Sequence, residues 1–134
     1  MYKLALGTAQ FGIEYGVFNA GNQTHIKEVR QILHYAKEHN INMFDTASQY
    51  GSSESILGNI GIHDWDIITK TTSLVSGIDS VLHSFSQSLK LLKVSHIYGL
   101  LIHSFDDIQH ADFSKLFKQL RNLQAQDMIQ KIGF

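Results

Sequence analysis

Four side chains of this 134-residue sequence have types and positions that suit proton-transfer chemistry. Three of them end short apolar runs typical of β-strands: Asp45 ends INMFD, Lys70 ends DIITK and His103 ends HIYGLLIH. The fourth, Tyr50, lies five residues after Asp45 in a loop of small residues. A carboxylate, an ammonium, an imidazole and a phenol all serve proteins as general acids, general bases or their partners. Whether they act together depends on the elements that position them.

Strand-like segments recur along the chain, separated by segments with helical periodicity. Short apolar runs predict strands at 3–6, 41–45, 66–70, 96–103 and 130–134. Helices are predicted in the intervals, from Thr24 to about Glu38, from Ser52 to Gly61, from about Asp79 and from about Asp112. The first and last of these helices place apolar residues on one face, namely Ile26, Val29, Ile32, Leu33 and Ala36, and Phe113, Leu116, Phe117, Leu120 and Leu123. Glu54 suits the first turn of the second helix, where a negative charge is favourable.

Alternation of strands and helices with short links predicts right-handed βαβ units and a parallel sheet. An open doubly wound sheet and a (β/α)8 TIM-type barrel both have this pattern. The first strand is followed by GTAQFG instead of the G-x-G-x-x-G that opens a dinucleotide-binding open sheet, which favours the barrel. A typical barrel has roughly 250 residues. We therefore expect residues 1–134 to form a single domain with about five of the eight βα units, an incomplete barrel.

The barrel topology would gather the four ionisable side chains, because all parallel strands end on the same face. Each residue also has a plainer interpretation. Asp45 could cap a turn, Lys70 could lie on the surface, and His103 could be a hydrogen-bonded structural residue. Tyr50 could simply pack against its neighbours. Topology alone leaves these alternatives open.

Composition excludes several classes of function. Hydrophobic residues make up 43% and charged residues 17%, as in a globular protein, and the net charge is −1. With no basic run, we expect neither nucleic acid nor a membrane as a partner. The absence of cysteine and of any apolar run near 18 residues suits a cytoplasmic protein. No metal site is expected, since His34 and His39, the two closest histidines on one predicted helix, are five residues apart.

At this level of detail, the chain resembles the aldo-keto reductase family. The similar segments are LGTAQFG (6–12), INMFDTASQYGSSESILG (41–58), IITK (67–70), LLIH (100–103) and QKIGF (130–134), which look like the first five strands of that family. Two features differ: the predicted first strand begins almost at Met1, whereas a β-hairpin often precedes it in the family, and His103 is followed by Ser104-Phe105-Asp106.

The resemblance implies reduction of an aldehyde or ketone by a nicotinamide cofactor, with a role for each of the four residues. Tyr50 would be the general acid, and Lys70 would favour its tyrosinate form and so ease proton donation. Asp45 would keep Lys70 charged and oriented. His103 would hold the carbonyl oxygen in line with the tyrosine.

The resemblance also indicates the ligands. Gly7, Thr8 and Asp45 would contact the nicotinamide ribose, and most other cofactor contacts would come from later strands, so NADPH and NADH both remain open. The substrate would be a small carbonyl compound, with a sugar as one candidate because AQFGIEYGVFN is similar to bacterial members linked to sugar metabolism. The alternative is a catalytically inactive half-barrel that serves as a binding or oligomerisation module. In either case we expect self-association through the open edges of the sheet.

Overall fold

The computed structural model describes residues 4–16 and 22–134, which form a parallel sheet of five strands with helices between them. The strands are β1 (Leu6–Gly7), β2 (Met43–Asp45), β3 (Asp66–Lys70), β4 (Ile97–Leu101) and β5 (Ile129–Gly133). Each strand pairs in parallel with the next one along the chain, so the order in the sheet is the order in the sequence. This is the α/β arrangement that the alternating pattern predicts.

Four helices of eight or more residues return the chain between successive strands. They are α2 (Ile26–Glu38), α3 (Ser53–Ile60), α4 (Ile78–Leu92) and α6 (Phe113–Ala125). Two four-residue helices, α1 (Ala9–Gly12) and α5 (Phe105–Ile108), and a 3₁₀ turn (Leu74–Ser76) follow strands β1, β4 and β3 respectively. Sequence periodicity does not reveal these short elements, and all three lie at the carboxyl ends of strands. Within 4–16 and 22–134, no helix has the length and apolar character needed to cross a bilayer.

The hydrophobic core lies between the sheet and the long helices. In β3, burial alternates along the strand: Ile67 and Thr69 are buried, whereas Asp66, Ile68 and Lys70 are only half-buried. Such alternation means that one face of the sheet packs on helices while the other is more open. The buried helical residues include Val29, Leu33, Leu57, Phe85, Leu92, Leu116 and Leu120.

The predicted boundaries of the first strand and of the first long helix need correction. The first strand is Leu6–Gly7 instead of 3–6, and residues 1–3 lie outside the described residues. Helix α2, predicted to start at Thr24, begins at Ile26. Its N-cap is His25, whose Nδ1 accepts a hydrogen bond from the backbone N–H of Lys27. The predicted cap, Thr24, uses its own N–H to bond the carbonyl of Gln10.

Two residues predicted to face the core are largely exposed. Ile26 is 39% exposed and Phe117 is 41% exposed. Each lies at the margin of the apolar stripe on its helix, where neighbouring positions such as Val29 and Leu116 are buried instead. A helix can leave such marginal residues in water because only the centre of the stripe meets the sheet.

Candidate active site

The register of the sheet puts Asp45 and Lys70 on the same face. Asp45 pairs with Ile68 in the β2–β3 ladder, and Lys70 is two residues further along β3. Paired residues share a face of the sheet, and so do residues i and i+2 of one strand. This face is the one opposite the helix-packed Ile67 and Thr69, at the carboxyl ends of both strands.

The ammonium group of Lys70 is held by oxygen atoms from the end of β2. Its Nζ donates to the Asp45 carboxylate in an ion pair and to the backbone carbonyl of Thr46 at 3.0 Å. The Lys70 side chain is only 12% exposed, whereas that of Asp45 is 40% exposed. The same Nζ lies 5.0 Å from the centroid of the Tyr50 ring. The structure therefore brings Asp45, Lys70 and Tyr50 into one cluster, with the cation between the carboxylate and the phenol ring.

Two glycines hold the Tyr50 loop against α1. A Cβ atom on Gly12 would lie 1.8 Å from the carbonyl oxygen of Tyr50 and 2.3 Å from the backbone nitrogen of Ser53. Gly51 has a φ of +55°, and its Cβ would lie 2.4 Å from the Gly12 carbonyl oxygen. Only glycine fits such close backbone contact, and a positive φ also favours it. The Tyr-Gly pair thus reflects the packing of the two segments that flank the site.

Buried hydroxyl groups fix the start of α3 beneath the end of β2. Ser53 Oγ donates to the carbonyl or the hydroxyl of Thr8, each at 3.0 Å, and lies 3.3 Å from the hydroxyl of Thr46. Thr8 in turn donates through both its N–H and its Oγ1 to the carbonyl of Asp45, at 3.0 Å each. Thr8, Thr46 and Ser53 are fully buried. Because the polar atoms of Thr8 are engaged inside the protein, they hold β1 against β2, and a contact between Thr8 and a cofactor stays a prediction.

His103 lies at the same end of the sheet, and among the described residues no hydrogen bond joins it to the cluster. Its backbone N–H donates to the hydroxyl of Thr71 at 3.2 Å, which fixes the chain just after β4 beside the end of β3. Its side chain is exposed, and the hydrogen bonds of the described residues include none from its imidazole to Asp45, Tyr50 or Lys70. The role predicted for His103 therefore stays a prediction.

A cleft of about 390 Å³ opens beside the cluster. It is lined by Gly7, Thr8, Ala9, Gln10, Tyr15, Gly16, Asp45 and Tyr50. Apart from the residues next to Gly7 in the chain, no atom of 4–16 or 22–134 lies within 4 Å of the place where its Cβ would be, so the backbone of β1 is open to a ligand there. The phenol oxygen of Tyr50 has no hydrogen bond to another described side chain, which leaves it available to a bound molecule. A larger cleft of about 580 Å³ lies at the starts of α4 and α6, away from these residues.

Glu54 has a different environment from the one that sequence predicts. The helix-start position suggests a solvated charge, yet the residue is 2% exposed and its Oε1 accepts a hydrogen bond from Thr69 Oγ1 at 2.8 Å. Burial raises the pKa of Glu54 above its ordinary value of 4.5, against the hydroxyl groups of Thr69 and Ser88, which lower it. In the sequence, the burial of Glu54 is indicated by its position three residues before Leu57, on the buried face of α3.

The comparisons with known proteins identify the family. The model of the aldo/keto reductase family matches residues 3–134. The chain belongs to that family. Its strand ends are thus those of an aldo-keto reductase, whose structures are (β/α)8 barrels.

Solved aldo-keto reductase structures share the fold of this chain. PA4992 from Pseudomonas aeruginosa, assigned to the same family, superposes with a TM-score of 0.78 at 27% identity, covering 96% of this chain and 53% of that one. The NADP complex of AKR2E4 from Bombyx mori gives 0.70 at 24% identity, covering 99% and 46%. The holo form of AKR11C1 from Bacillus halodurans gives 0.73 at 18% identity, covering 98% and 45%. The chain spans about half the length of these structures, and no curated protein matches it.

Proposed function

We propose that this chain supplies the proton-donating half of a nicotinamide-dependent carbonyl reductase site. The observation that carries the proposal is the cluster in which Lys70 Nζ bonds Asp45 and lies 5.0 Å from the Tyr50 ring, at the edge of an open cleft. Membership of the aldo/keto reductase family gives the reaction class. The substrate is then an aldehyde or ketone small enough to enter the cleft.

The residues act on the oxygen of the carbonyl group. A reduced nicotinamide, when bound, supplies the hydride that reduces the carbonyl carbon. As negative charge develops on the oxygen, the Tyr50 hydroxyl donates its proton to it, and water returns a proton to the tyrosinate afterwards. The Lys70 ammonium stabilises that tyrosinate, and Asp45 keeps the ammonium in place. His103, which follows the neighbouring strand, would donate a second hydrogen bond to the same oxygen.

The nicotinamide end of the cofactor fits the cleft side that β1 and β2 form. Gly7 presents open backbone there, and the Asp45 carboxylate retains exposed surface beside its ion pair. A carboxylate can accept hydrogen bonds from ribose hydroxyl groups. NADPH and NADH share this ribose, so the described residues suit either dinucleotide. An NADP complex exists for the Bombyx mori relative.

The residues that line the cleft favour polar carbonyl compounds as substrates. Tyr15 is 59% exposed on the cleft wall, and Gln10 lies beside it with its side-chain amide bonded to the Tyr15 carbonyl at 2.8 Å. An aromatic face next to an amide and a carboxylate suits a ligand with both apolar C–H and hydroxyl groups. A sugar aldehyde or ketone has both kinds of group.

Carbonyl-dependent oxidation of a reduced nicotinamide tests the proposal. The assay uses a completed barrel, defined as this chain joined after Phe134 to the part of PA4992 beyond the matched segment. We expect absorbance of NADPH or NADH to fall when aldoses, hydroxyketones or simple aldehydes are added, with the matching alcohol as product. A folded completed barrel that binds the dinucleotide and reduces none of these compounds would rule the proposed function out.

A further inference from the structure

The carboxyl group of Glu54 joins the two elements that carry Tyr50 and Lys70. Glu54 is the second residue of α3, and Tyr50 lies just before that helix. Thr69, whose hydroxyl donates to Glu54 Oε1 at 2.8 Å, immediately precedes Lys70 in β3. Both Glu54 and Thr69 are buried, at 2% and 0% exposure. This hydrogen bond links the start of α3, directly after the phenol-bearing loop, to the ammonium-bearing strand.

The start of the Tyr50 loop is bonded to β3 through Thr46, whose N–H donates to the Ile68 carbonyl at 2.8 Å and whose carbonyl accepts from Lys70 Nζ at 3.0 Å. The end of the loop is tied to α3 by the bond from the N–H of Ser53 to the Tyr50 carbonyl, at 3.0 Å. The Ser53 hydroxyl bonds Thr8, which fixes α3 to β1 and β2 instead of β3. The Glu54–Thr69 bond therefore ties the start of α3 to the strand that carries Lys70.

The surroundings of the other carboxyl oxygen of Glu54, Oε2, are unusual for a carboxyl group. Glu54 Oε2 is buried and, within 4–16 and 22–134, has no hydrogen-bond partner. The groups that face the carboxyl are hydroxyls, from Thr69 on β3 and from the buried Ser88 on α4. Burial raises the pKa of Glu54 and so favours its neutral acid form more than in an exposed glutamate. A neutral acid can accept from Thr69 through one oxygen and carry its proton on the other.

We infer that Glu54 is a positioning residue, whose hydrogen bond with Thr69 sets the separation between Tyr50 and Lys70. The catalytic value of that separation rests on the proposed function, but the contact itself exists without turnover. A neutral amide at this position offers the same acceptor, whereas a hydrocarbon does not. This difference allows the positioning effect to be separated from the packing of α3.

Nuclear Overhauser effects between the Lys70 side-chain methylenes and the Tyr50 ring protons test the inference on the chain itself. The variants Thr69→Val and Glu54→Leu remove the bond, and Thr69→Ser and Glu54→Gln keep a donor and an acceptor. Ile56→Val, which trims a half-buried neighbour on the same helix, is the matched control for packing. The test needs neither substrate nor cofactor, so its outcome is independent of whether the chain takes part in carbonyl reduction.

We expect the Lys70–Tyr50 cross-peaks to be lost in Thr69→Val and retained in Thr69→Ser, Glu54→Gln and the control. If Glu54→Leu does not fold, the near-isosteric Thr69→Val decides. Cross-peaks of full intensity in folded Thr69→Val would overturn the inference. Equal loss in the Ile56→Val control would also overturn it, because general packing of α3 would then set the separation.

Discussion

At the scale of single residues, the proposed chemistry depends on the charge of Lys70. Its side chain is 12% exposed and its Nζ contacts both the Asp45 carboxylate and the Thr46 carbonyl. An ammonium in this position is shielded from water, and in the proposed mechanism it would stabilise negative charge on the Tyr50 oxygen. Replacing Lys70 by an uncharged side chain of similar volume would take away the charge and keep the hydrocarbon part of the side chain in place.

Replacing Lys70 by methionine tests that dependence. We expect the turnover of the completed barrel with Lys70→Met to fall by about 10²–10⁴, the range typical of general acid–base groups. The pH–rate profile should shift too, because the phenol loses its cationic neighbour. Steady-state rates across pH measure both effects. Lys118→Met, at an exposed position of α6, is the control, and equal rates in the two variants would contradict the role of Lys70.

The second residue-scale prediction concerns Glu54 and pH. Burial raises the pKa of Glu54 in the folded chain above 4.5, so from pH 4.5 upward the unfolded chain releases a proton that the folded chain still binds. The free energy of unfolding should therefore fall as the pH rises through this window, and level off above the folded pKa. In Glu54→Gln that fall should disappear. Urea unfolding at several pH values measures it, with the exposed Glu14→Gln as control; parallel curves for Glu54→Gln and the parent chain would contradict the prediction.

At the scale of elements, the site depends on α1 lying in backbone contact with the Tyr50 loop. Gly12 and Gly51 each leave no room for a side chain at this crossing. The crossing also sets the entrance of the cleft, because α1 supplies Ala9 and Gln10 to its wall. A change of one methyl group should consequently affect both stability and the site.

Gly12→Ala is the direct test of the crossing. The new methyl group would overlap the Tyr50 carbonyl oxygen at 1.8 Å, so the loop or the helix must move. We expect a loss of stability of about 3 kcal/mol or more, at the upper end of the cost of overpacking. Gly7→Ala, whose methyl group would meet no atom within 4 Å, should cost much less in chemical denaturation. Similar denaturation midpoints for Gly12→Ala and Gly7→Ala would be inconsistent with the close backbone contact between α1 and the Tyr50 loop.

Most elements of the fold follow from the sequence, and the exceptions have physical reasons. The third strand and the helix ended by Gly61 match the predictions, since a short apolar run marks the strand and a stop signal marks the helix. The helices α1 and α5 have only four residues each, too few for any periodicity. The start of α2 was misplaced by the preference for threonine as a cap, because the Nδ1 atom of His25 caps the helix instead.

The candidate site also combines features that the sequence predicts with features that it does not. Strand ends place Asp45 and Lys70 at the same end of the sheet from sequence alone, whereas their shared face follows from the register of β2 and β3. The burial of Glu54 is a tertiary effect, since a carboxyl in the first helical turn is ordinarily a solvated charge. The exposed side chain of His103 has no hydrogen bond to the cluster among the described residues, and no pattern in the sequence specifies its orientation.

At the scale of the whole molecule, the sheet has two outer strands, β1 and β5, each paired on one side only among the described residues. Edge strands expose unpaired backbone groups and readily pair with other chains. Phe134, directly after β5, is 89% exposed. The chain spans about half the length of the related structures. A closed barrel covers the apolar and backbone surface that such edge strands present.

We expect the 134-residue chain by itself to associate through these edges. Light scattering should give a mass above the 15.1 kDa of one chain. Calorimetric titration should show weak or no binding of NADPH and NADH, because the described residues would supply only one side of the proposed cofactor site. Joining the chain to the remaining PA4992 segment should restore both a monomeric mass and dinucleotide binding. A monomer that binds either dinucleotide at micromolar strength would contradict this expectation.

The central claim is that the Tyr50 hydroxyl is the proton donor of a carbonyl reductase. Its most direct test compares Tyr50→Phe with Tyr35→Phe in the completed barrel, since both variants lose one hydroxyl and Tyr35 is exposed on α2, away from the cleft. We expect Tyr50→Phe to lose most of its turnover while its affinity for NADPH, measured by fluorescence titration, stays near that of the parent. Tyr35→Phe should keep both. Parent-like turnover in Tyr50→Phe would contradict the assignment.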